Sequence, residues 1–348
     1  MKWLIPLVAL VALVPGSSAA TGAGSAAYVA KVDGKSRIRV RELTGGPGRD
    51  LAAGTRIQGW SADGTEILFY RGHGKTTDVF VVRGDGSGLR KIVRVRARGF
   101  RGVSPNRAWT AAVSQCRGRL PRIQIRSVRG KRLHEFRASR GRDSGWVDLA
   151  WSPRNEEIAW THTWPANDEC RNVPIGSEIY VSSLDGRSRR LIGTGGWTER
   201  LTYSRDGLRL AAAVDCADVT CDQVLVSDRV AYELWKPNKA VVLAGPLWSS
   251  SGNKLFVVLA DELQPPDYSP QNPRLVAVDV ETLQARYVAS LPDWGVALEA
   301  VSRDDSTLAI RVFDPEQIWL VSIADGELRR MPWPPASYAA SSEAVFLP

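Results

Sequence analysis

The chain has 348 residues, of which 44% are hydrophobic and 24% charged, a composition that allows a full core and excludes a disordered chain. Lys and Arg total 46 against 37 Asp and Glu, which gives a formal net charge of +9. Only three His and two Met are present, so a His-rich metal centre or a Met-lined groove has little material. The composition itself names no substrate.

The N-terminal segment, residues 1–20, has the pattern of a secretory signal peptide. A positive charge precedes an apolar run from Trp3 to Val14, and Ser18-Ala19-Ala20 offers the small residues that a signal peptidase needs. The alternative is an uncleaved anchor helix, but the run is shorter than the ~20 residues that span a bilayer. We expect cleavage near Thr21, one domain over 21–348, a secreted or periplasmic protein and no stable membrane insertion.

The four Cys fit an oxidising compartment, since their number is even. Cys216 and Cys221 are five residues apart, a spacing that a hairpin loop can close, which leaves Cys116 and Cys170 as partners. Free buried thiols or a zinc site are the alternatives, although zinc sites usually show paired CxxC spacings, which this sequence lacks. We predict two disulfides.

A short pattern recurs along the chain: an apolar or aromatic residue, Ser, two turn-forming residues and, in several copies, Gly. Successive copies start 43, 48, 52, 45 and 53 residues apart, roughly the length of one four-stranded propeller blade. The residues after Ser suit a type I turn, in which Asp or Asn bonds back to the backbone and Gly adopts φ > 0. The copies begin at Trp60, Val103, Trp151, Tyr203, Trp248 and Val301.

Short apolar segments follow each turn, as in Glu66 to Tyr70 and Asp78 to Val82, and no stripe of helical period occurs. These features indicate an all-β protein. A pair of β-sandwiches is the alternative, but a fixed period near 45 residues with four strand positions favours a β-propeller. We predict four-stranded blades, seven in number, with six as the alternative.

The two ends of the chain are predicted to join in one blade. Residues 26–43 hold two strand patterns without a preceding turn, and residues 336–346 look like the missing first part of a unit. Their pairing completes the seventh blade and removes an open sheet edge, which would otherwise invite aggregation. Without this pairing the chain has six blades and an extra flap.

The succession of Trp-Ser-x-Asp-Gly, apolar strand, loop, apolar strand and Asp-Gly resembles the TolB-type, WD40-like β-propeller repeat. The resemblance covers about residues 26–347, and the unit from Trp60 to Leu89 fits best, whereas the units at Val103, Trp151 and Val301 replace the Gly. It implies a propeller outside the cytoplasm that serves as a docking surface. We do not expect TolB's own role, because the α/β domain that precedes that propeller has no room in this chain. Prolyl-oligopeptidase-type enzymes carry similar repeats, but a hydrolase domain is not expected after residue 348.

Motifs of catalysis are missing from the sequence: it has no nucleophile elbow in a strand–turn–helix context, no P-loop and no EF-hand series. We therefore assign no catalytic residue, metal ligand or cofactor. His73 and His162 follow the first long strand of their units and are expected on one face, where a metal-assisted lyase would place several His. We interpret both as exposed loop histidines, with the metal site as the alternative.

Positive charge is concentrated between Gly86 and Arg142, which hold 17 Lys or Arg and one acid, Glu135. The pattern predicts a patch for an anionic partner, such as a cell-wall polymer, lipid headgroups or an acidic protein, with binding that weakens as salt rises. The alternative is an Arg-rich composition that also protects an exposed strand. The candidate binding residues are Arg94, Arg96 and Arg98, predicted to share one strand face, with Arg117 and Arg119.

Two long loops, Thr161 to Ser177 and Asp261 to Pro273, carry the aromatic residues Trp164 and Tyr268. Long loops on a rigid scaffold are where binding usually resides, so both residues are candidates for ligand contact. Decoration without a function is the alternative for these loops.

We predict an exported, noncatalytic binding propeller, a monomer whose partner is a protein or an anionic envelope polymer. Nucleic acid is not expected as a partner, because the protein is exported and no nucleic-acid-binding motif occurs. The alternative is a secreted enzyme that acts on polysaccharide, a lyase or a glycosidase. A propeller subunit that needs a separately encoded partner is a third possibility.

Overall fold

The computed structural model describes residues 25–42, 48–61, 64–114, 122–137, 148–165, 174–217, 220–228, 231–261, 270–292, 295–302, 304–313, 316–330 and 344–346. Regular structure in these segments consists of twenty-eight β-strands, and the predicted all-β class is confirmed. No helix with the length and apolar character required to cross a bilayer occurs in these segments.

The described strands form five separate four-stranded blades and one eight-stranded sheet, and all pairs are antiparallel. Blade 1 has the order β28 (Ala344–Phe346), β1 (Ser25–Val32), β2 (Lys35–Glu42) and β3 (Arg49–Ala53). Blade 2 has the order β4 (Arg56–Trp60), β5 (Glu66–His73), β6 (Thr76–Arg83) and β7 (Arg90–Arg96).

The next two blades follow in the same way. Blade 3 consists of β8 (Phe100–Val103), β9 (Trp109–Ser114), β10 (Arg122–Ser127) and β11 (Arg132–Arg137). Blade 4 consists of β12 (Leu149–Trp151), β13 (Glu157–Pro165), β14 (Pro174–Ser183) and β15 (Ser188–Thr194).

The eight-stranded sheet precedes blade 5 in the chain. Its strands are β16 (Trp197–Tyr203), β17 (Leu210–Ala217), β18 (Thr220–Ser227), β19 (Tyr232–Trp235), β20 (Ala240–Trp248), β21 (Lys254–Asp261), β22 (Gln271–Asp279) and β23 (Ala285–Ser290). Blade 5 consists of β24 (Val296–Val301), β25 (Thr307–Phe313), β26 (Glu316–Ser322) and β27 (Leu328–Arg330).

The predicted count of seven four-stranded blades, or six, is wrong: the described residues form five. The eight-stranded sheet contains two copies of the repeat, those that begin at Tyr203 and Trp248. A single pair between Cys221 of β18 and Val242 of β20 merges their strands, so that β18 contacts β17, β19 and β20. The repeat period therefore predicts the strands correctly but does not predict where one sheet ends.

Blade 1 joins the two ends of the described chain, as predicted. Ala26 pairs with Phe346 and Tyr28 with Ala344, while the other side of β1 pairs with β2 along its whole length. Strand β1 therefore has a partner along its whole length on one side and, on the other, from Ala26 to Tyr28, which shortens its open edge.

The recurring turn has the same backbone geometry in all six copies, including those that lack Gly. Its fifth residue has a left-handed φ of 56–73° at Gly64, Arg107, Asn155, Gly207, Gly252 and Asp305. The turn Ser accepts the backbone N–H of the residue five positions later, as in Ser204 Oγ with Arg209 N at 2.9 Å. This side-chain cap holds the turn closed whichever residue occupies the strained position.

Buried apolar side chains fill most interfaces between neighbouring sheets. Eight buried residues, among them Ile123 and Trp160, form the core shared by blades 3 and 4. The core shared by blades 2 and 3 holds just three buried residues in the described chain, Tyr70, Val79 and Val103. The interface between blades 2 and 3 is therefore incompletely packed.

Candidate anion-binding cleft

A cleft with a volume of about 1640 Å³ lies between blades 2 and 3, outside the small core that they share. One wall is β7 with the turn that follows it, and the other is formed by β9, β10 and the turn after β10. The described residues that line it include seven Lys or Arg and no Asp or Glu. The basic residues are Lys91, Arg94, Arg96, Arg98, Arg122, Arg126 and Arg129.

The face of β7 that is turned to blade 3 is apolar, whereas Arg94 and Arg96 lie on the other face of the strand. Ile92 and Val93 of β7 pack against the small core that contains Val79, and Val95 continues the strand along the cleft. These three side chains are only partly buried, so they present an aliphatic surface to the opening. Blade 2 thus offers the apolar face that an adjoining blade would normally cover.

The wall that blade 3 contributes is polar and cationic. Ile123 and Ile125 of β10 are buried in the core with blade 4. Because successive strand residues point to opposite faces, Arg122, Gln124 and Arg126 face blade 2. Polar side chains therefore occupy the blade 3 positions that would otherwise complete an apolar core.

The guanidinium groups of this wall are held by a network around Glu135. Its carboxylate accepts hydrogen bonds from Arg122 Nη1 at 3.3 Å and Gln124 Nε2 at 3.1 Å, and from Arg137 Nη2 at 3.1 Å. Gln124 in turn accepts from Arg126 Nη2 at 3.0 Å through Oε1. Burial tends to raise the pKa of Glu135, but the hydrogen bonds and the neighbouring guanidiniums hold it below its ordinary value.

Carboxylates do not balance the positive charge at the cleft. Glu135 is shared with Arg132 as well, at 3.5 Å, so one carboxylate serves three arginines. Among the described residues, Arg96, Arg98, Arg126 and Arg129 form no ion pair with a carboxylate. An excess of positive charge therefore remains along the opening.

The predicted residues Arg94 and Arg96 share one face of β7, since they pair with Asp78 and Thr76 of β6. Arg94 is bound to the buried Asp78, with Nε and Nη2 at 2.6 and 2.8 Å from the two carboxylate oxygens. The hydrogen bond from Arg94, together with Lys91, keeps the pKa of Asp78 well below its ordinary value. Arg94 therefore has a structural partner already, whereas Arg96 and Arg98 lie at the cleft without one in the described chain.

Other predicted site residues lie outside what the structure describes. Arg117, Arg119, Tyr268, Cys116 and Cys170 fall between the described segments, and so does the backbone of the loops that carry them. Trp164 belongs to β13, where its backbone pairs with Gly176, and its side chain is not described. The predicted disulfide between Cys216 and Cys221 is present.

The prediction of exposed histidines is wrong for His162. It lies within β13, fully buried, opposite Glu178 of β14, whereas His73 is exposed at the end of β5. Burial lowers the pKa of His162 to about 4, against a smaller opposing effect of Glu178. No group of three or more His, Cys, Asp or Glu placed to hold a metal ion occurs in the described segments.

The residues predicted from the sequence do not include Arg122, Gln124 and Arg126, although a signal was present. Strand β10 alternates strictly between polar and apolar residues, whereas the equivalent strand of blade 2 has the apolar run Val79 to Val82. A strand buried on both faces shows a continuous apolar run, and alternation indicates that one face is solvated. The alternation of β10 therefore marked the blade face that lines the cleft.

No protein-family model and no curated protein matches the sequence. Similarity to solved structures is extensive. The β-propeller domain of the Trilobed protease from Pyrococcus furiosus aligns with a TM-score of 0.57 and 14% identity, over 96% of this chain and 100% of the other. The likeness is one of fold: the chain is a β-propeller.

Two further solved structures align with this chain. An oligogalacturonate lyase from Vibrio parahaemolyticus aligns with a TM-score of 0.56 and 10% identity, over 89% of this chain and 85% of the lyase. TolB from Acinetobacter baumannii has a TM-score of 0.45 and 15% identity, over 93% of this chain and 67% of TolB. The repeat pattern resembles the TolB type, and no match to a family model assigns the chain to it.

Proposed function

We propose that this protein is an extracytoplasmic, noncatalytic propeller that binds an anionic polymer of the cell envelope in the cleft between blades 2 and 3. The observation that carries the proposal is the cluster of Arg98, Arg122, Arg126 and Arg129 along the cleft, of which only Arg122 has a carboxylate partner among the described residues. The volume of about 1640 Å³ exceeds the ~300–1,000 Å³ of a small-molecule pocket, which favours a segment of a larger molecule. The Cys216–Cys221 disulfide and the predicted signal peptide support a location outside the cytoplasm.

The hydrogen-bond network on blade 3 orients the guanidinium groups that face the cleft. Arg122 and Arg126 are fixed through Glu135 and Gln124, so their forks are oriented before an anion arrives. Pre-oriented groups lose less conformational entropy on binding. Arg98 and Arg129 add charge at the opening and increase attraction for a polyanion.

The test is binding of a panel of defined polyanions (polygalacturonate, polyglutamate and polyphosphate) to the purified chain at about 20 and 150 mM salt. We expect binding at low salt that weakens at higher salt. Binding releases cations from the polymer, and this release becomes less favourable as the salt concentration rises. The variant Arg126→Gln/Arg129→Gln should bind more weakly, whereas Arg329→Gln, which removes an exposed charge from β27, should bind like the wild type. Absence of binding at low salt, or equal loss in both variants, would refute the proposal.

Catalysis can be followed in the same samples. A lyase or glycosidase would release new unsaturated or reducing sugar ends from polygalacturonate over time, and binding alone would not. We expect no release. Turnover that persists in Arg126→Gln/Arg129→Gln would move the activity away from the cleft and support the enzyme alternative.

A further inference from the structure

The two walls of the cleft have opposite chemistry. Ile92, Val93 and Val95 form an aliphatic surface on blade 2, whereas Arg94 and Arg96 lie on the other face of β7. Arg122 and Arg126 form a cationic surface on blade 3. A ligand that fits between them needs an apolar face on one side and anionic groups on the other. A uniformly charged chain would leave the aliphatic wall without a complementary surface.

The cationic wall also has a preference among anions. Arginine forks bind planar carboxylates with two parallel hydrogen bonds, and those of Arg122 and Arg126 are already oriented by hydrogen bonds. The two residues are four positions apart on β10, about 13 Å along an extended strand. Such spacing suits carboxylates that repeat along a chain.

Neutral polar groups lie between the charges. Thr110 stands next to Arg126 across the β9–β10 pair, Gln124 lies between the two arginines, and Ser127 follows them. Hydroxyl and amide side chains of this kind bind hydroxyl groups of a ligand, and a polypeptide backbone or polyphosphate carries none.

We propose that the ligand is a carboxylate-bearing polysaccharide, whose sugar rings place their C–H faces on Ile92, Val93 and Val95 and their carboxylates on Arg122 and Arg126. This inference rests on the proposed binding function of the same cleft. Polyphosphate matches the cationic wall alone, and a neutral polysaccharide matches the aliphatic wall alone.

The experiment compares four probes at low salt: polygalacturonate oligomers of uniform length, the same oligomers with methyl-esterified carboxyl groups, polyphosphate and polyglutamate. We expect polygalacturonate to bind most tightly, about tenfold more tightly than the esterified oligomer, because esterification removes the charge-assisted hydrogen bonds. Arg126→Gln should weaken polygalacturonate by a similar factor.

A substitution at Val95 tests the contribution of the aliphatic wall. Val95→Asn should weaken polygalacturonate about fivefold and leave polyphosphate unchanged, because the substitution removes aliphatic contact and adds no charge. Val95→Thr, which keeps the shape of the side chain, should retain part of the affinity, and the thermal midpoint of each variant checks that it is folded.

The outcomes separate the two proposals. If polyphosphate or polyglutamate binds most tightly, or if Val95→Asn binds polygalacturonate like the wild type, the saccharide inference is wrong while the anion-binding cleft stands, provided Arg126→Gln still weakens binding. If no probe binds, both proposals fail.

Discussion

The side-chain amide of Gln58 hydrogen bonds to both backbone polar groups of Val103: Nε2 donates to its carbonyl oxygen at 2.8 Å, and Oε1 accepts from its N–H at 3.0 Å. Gln58 belongs to β4 of blade 2 and Val103 to β8 of blade 3. The two blades are therefore fastened at their first strands. The cleft lies farther out, between β7 of blade 2 and strands β9 and β10 of blade 3.

Replacement of Gln58 by Leu should destabilise the protein, because both backbone groups of the fully buried Val103 would lose a partner. We expect the free energy of unfolding to fall by about 2–4 kcal/mol, from one to two unsatisfied buried groups. Urea titration followed by tryptophan fluorescence measures this change. Gln284→Leu, at an exposed turn, is the matched control and should change stability little. Similar values for the two variants would show that the Gln58 bonds do not fasten the blades.

The turns show how far the sequence predicts local structure. The Ser and the following turn residues predict a tight turn at each copy, and all six are found. The absence of Gly at Arg107, Asn155 and Asp305 weakened the match, yet all three adopt the left-handed conformation. The reason lies in neighbouring turns, which provide partners: Asn155 Oδ1 accepts from Asn106 N at 2.7 Å, and Arg107 pairs with Glu66 at 2.5 Å.

The blade count and the cleft could not be predicted from local patterns alone. The merger of two repeats depends on one pair, Cys221 with Val242, between strands that are separated by β19. The role of Arg94 depends on Asp78, which sits on another strand and neutralises it. Arg126 differs because its neighbours bind it without a carboxylate, and that difference is visible only once β10 and β11 are paired.

Gly207 should be intolerant of a side chain. Its φ of 69° lies in the left-handed region, and a Cβ at this position would come within 3.0 Å of Ser152 Oγ in the adjacent blade. Gly207→Ala should lower the free energy of unfolding by about 1–2 kcal/mol, the cost of the left-handed conformation, plus any displacement of Ser152. Gly72→Ala, where the space is open, is the control and should be near neutral. Equal urea midpoints for the two variants would contradict the assigned turn geometry.

The disulfide between Cys216 and Cys221 should make a modest contribution to stability. Its cysteines face each other in the β17–β18 hairpin and are separated by five residues, so it closes a short loop. A chain-entropy model gives about 2 kcal/mol for such a loop. Cys216→Ala combined with Cys221→Ala should therefore shift the urea midpoint slightly, and a loss several times larger would contradict this expectation.

The same double variant also tests whether Cys116 and Cys170 form a disulfide. If Cys116 and Cys170 form the second predicted bridge, a reductant should still lower the stability of the variant, and by more than the loss at Cys216 and Cys221, because that loop is far longer. Peptide mapping without reductant identifies the bridge directly. A variant that does not respond to reductant would refute the second disulfide.

His162 should make stability depend on pH above the range in which carboxylates titrate. It is fully buried within β13, opposite Glu178, which itself binds Arg190 at 2.8 Å and Tyr180 at 2.6 Å. Burial lowers the pKa of His162 from 6.5 to about 4. Between these values the unfolded chain takes up a proton that the folded chain does not, so stability falls as pH drops through 6.5 and levels off below 4.

This difference in proton uptake predicts a loss of about 2 kcal/mol between pH 7 and pH 5 in the wild type. His162→Gln removes the titrating group, and its free energy of unfolding should change with pH by that much less, although its absolute stability is lower. The exposed His73→Gln variant is the control for the loss of a histidine as such. Parallel pH profiles for wild type and His162→Gln would mean that folding does not lower the pKa of this histidine.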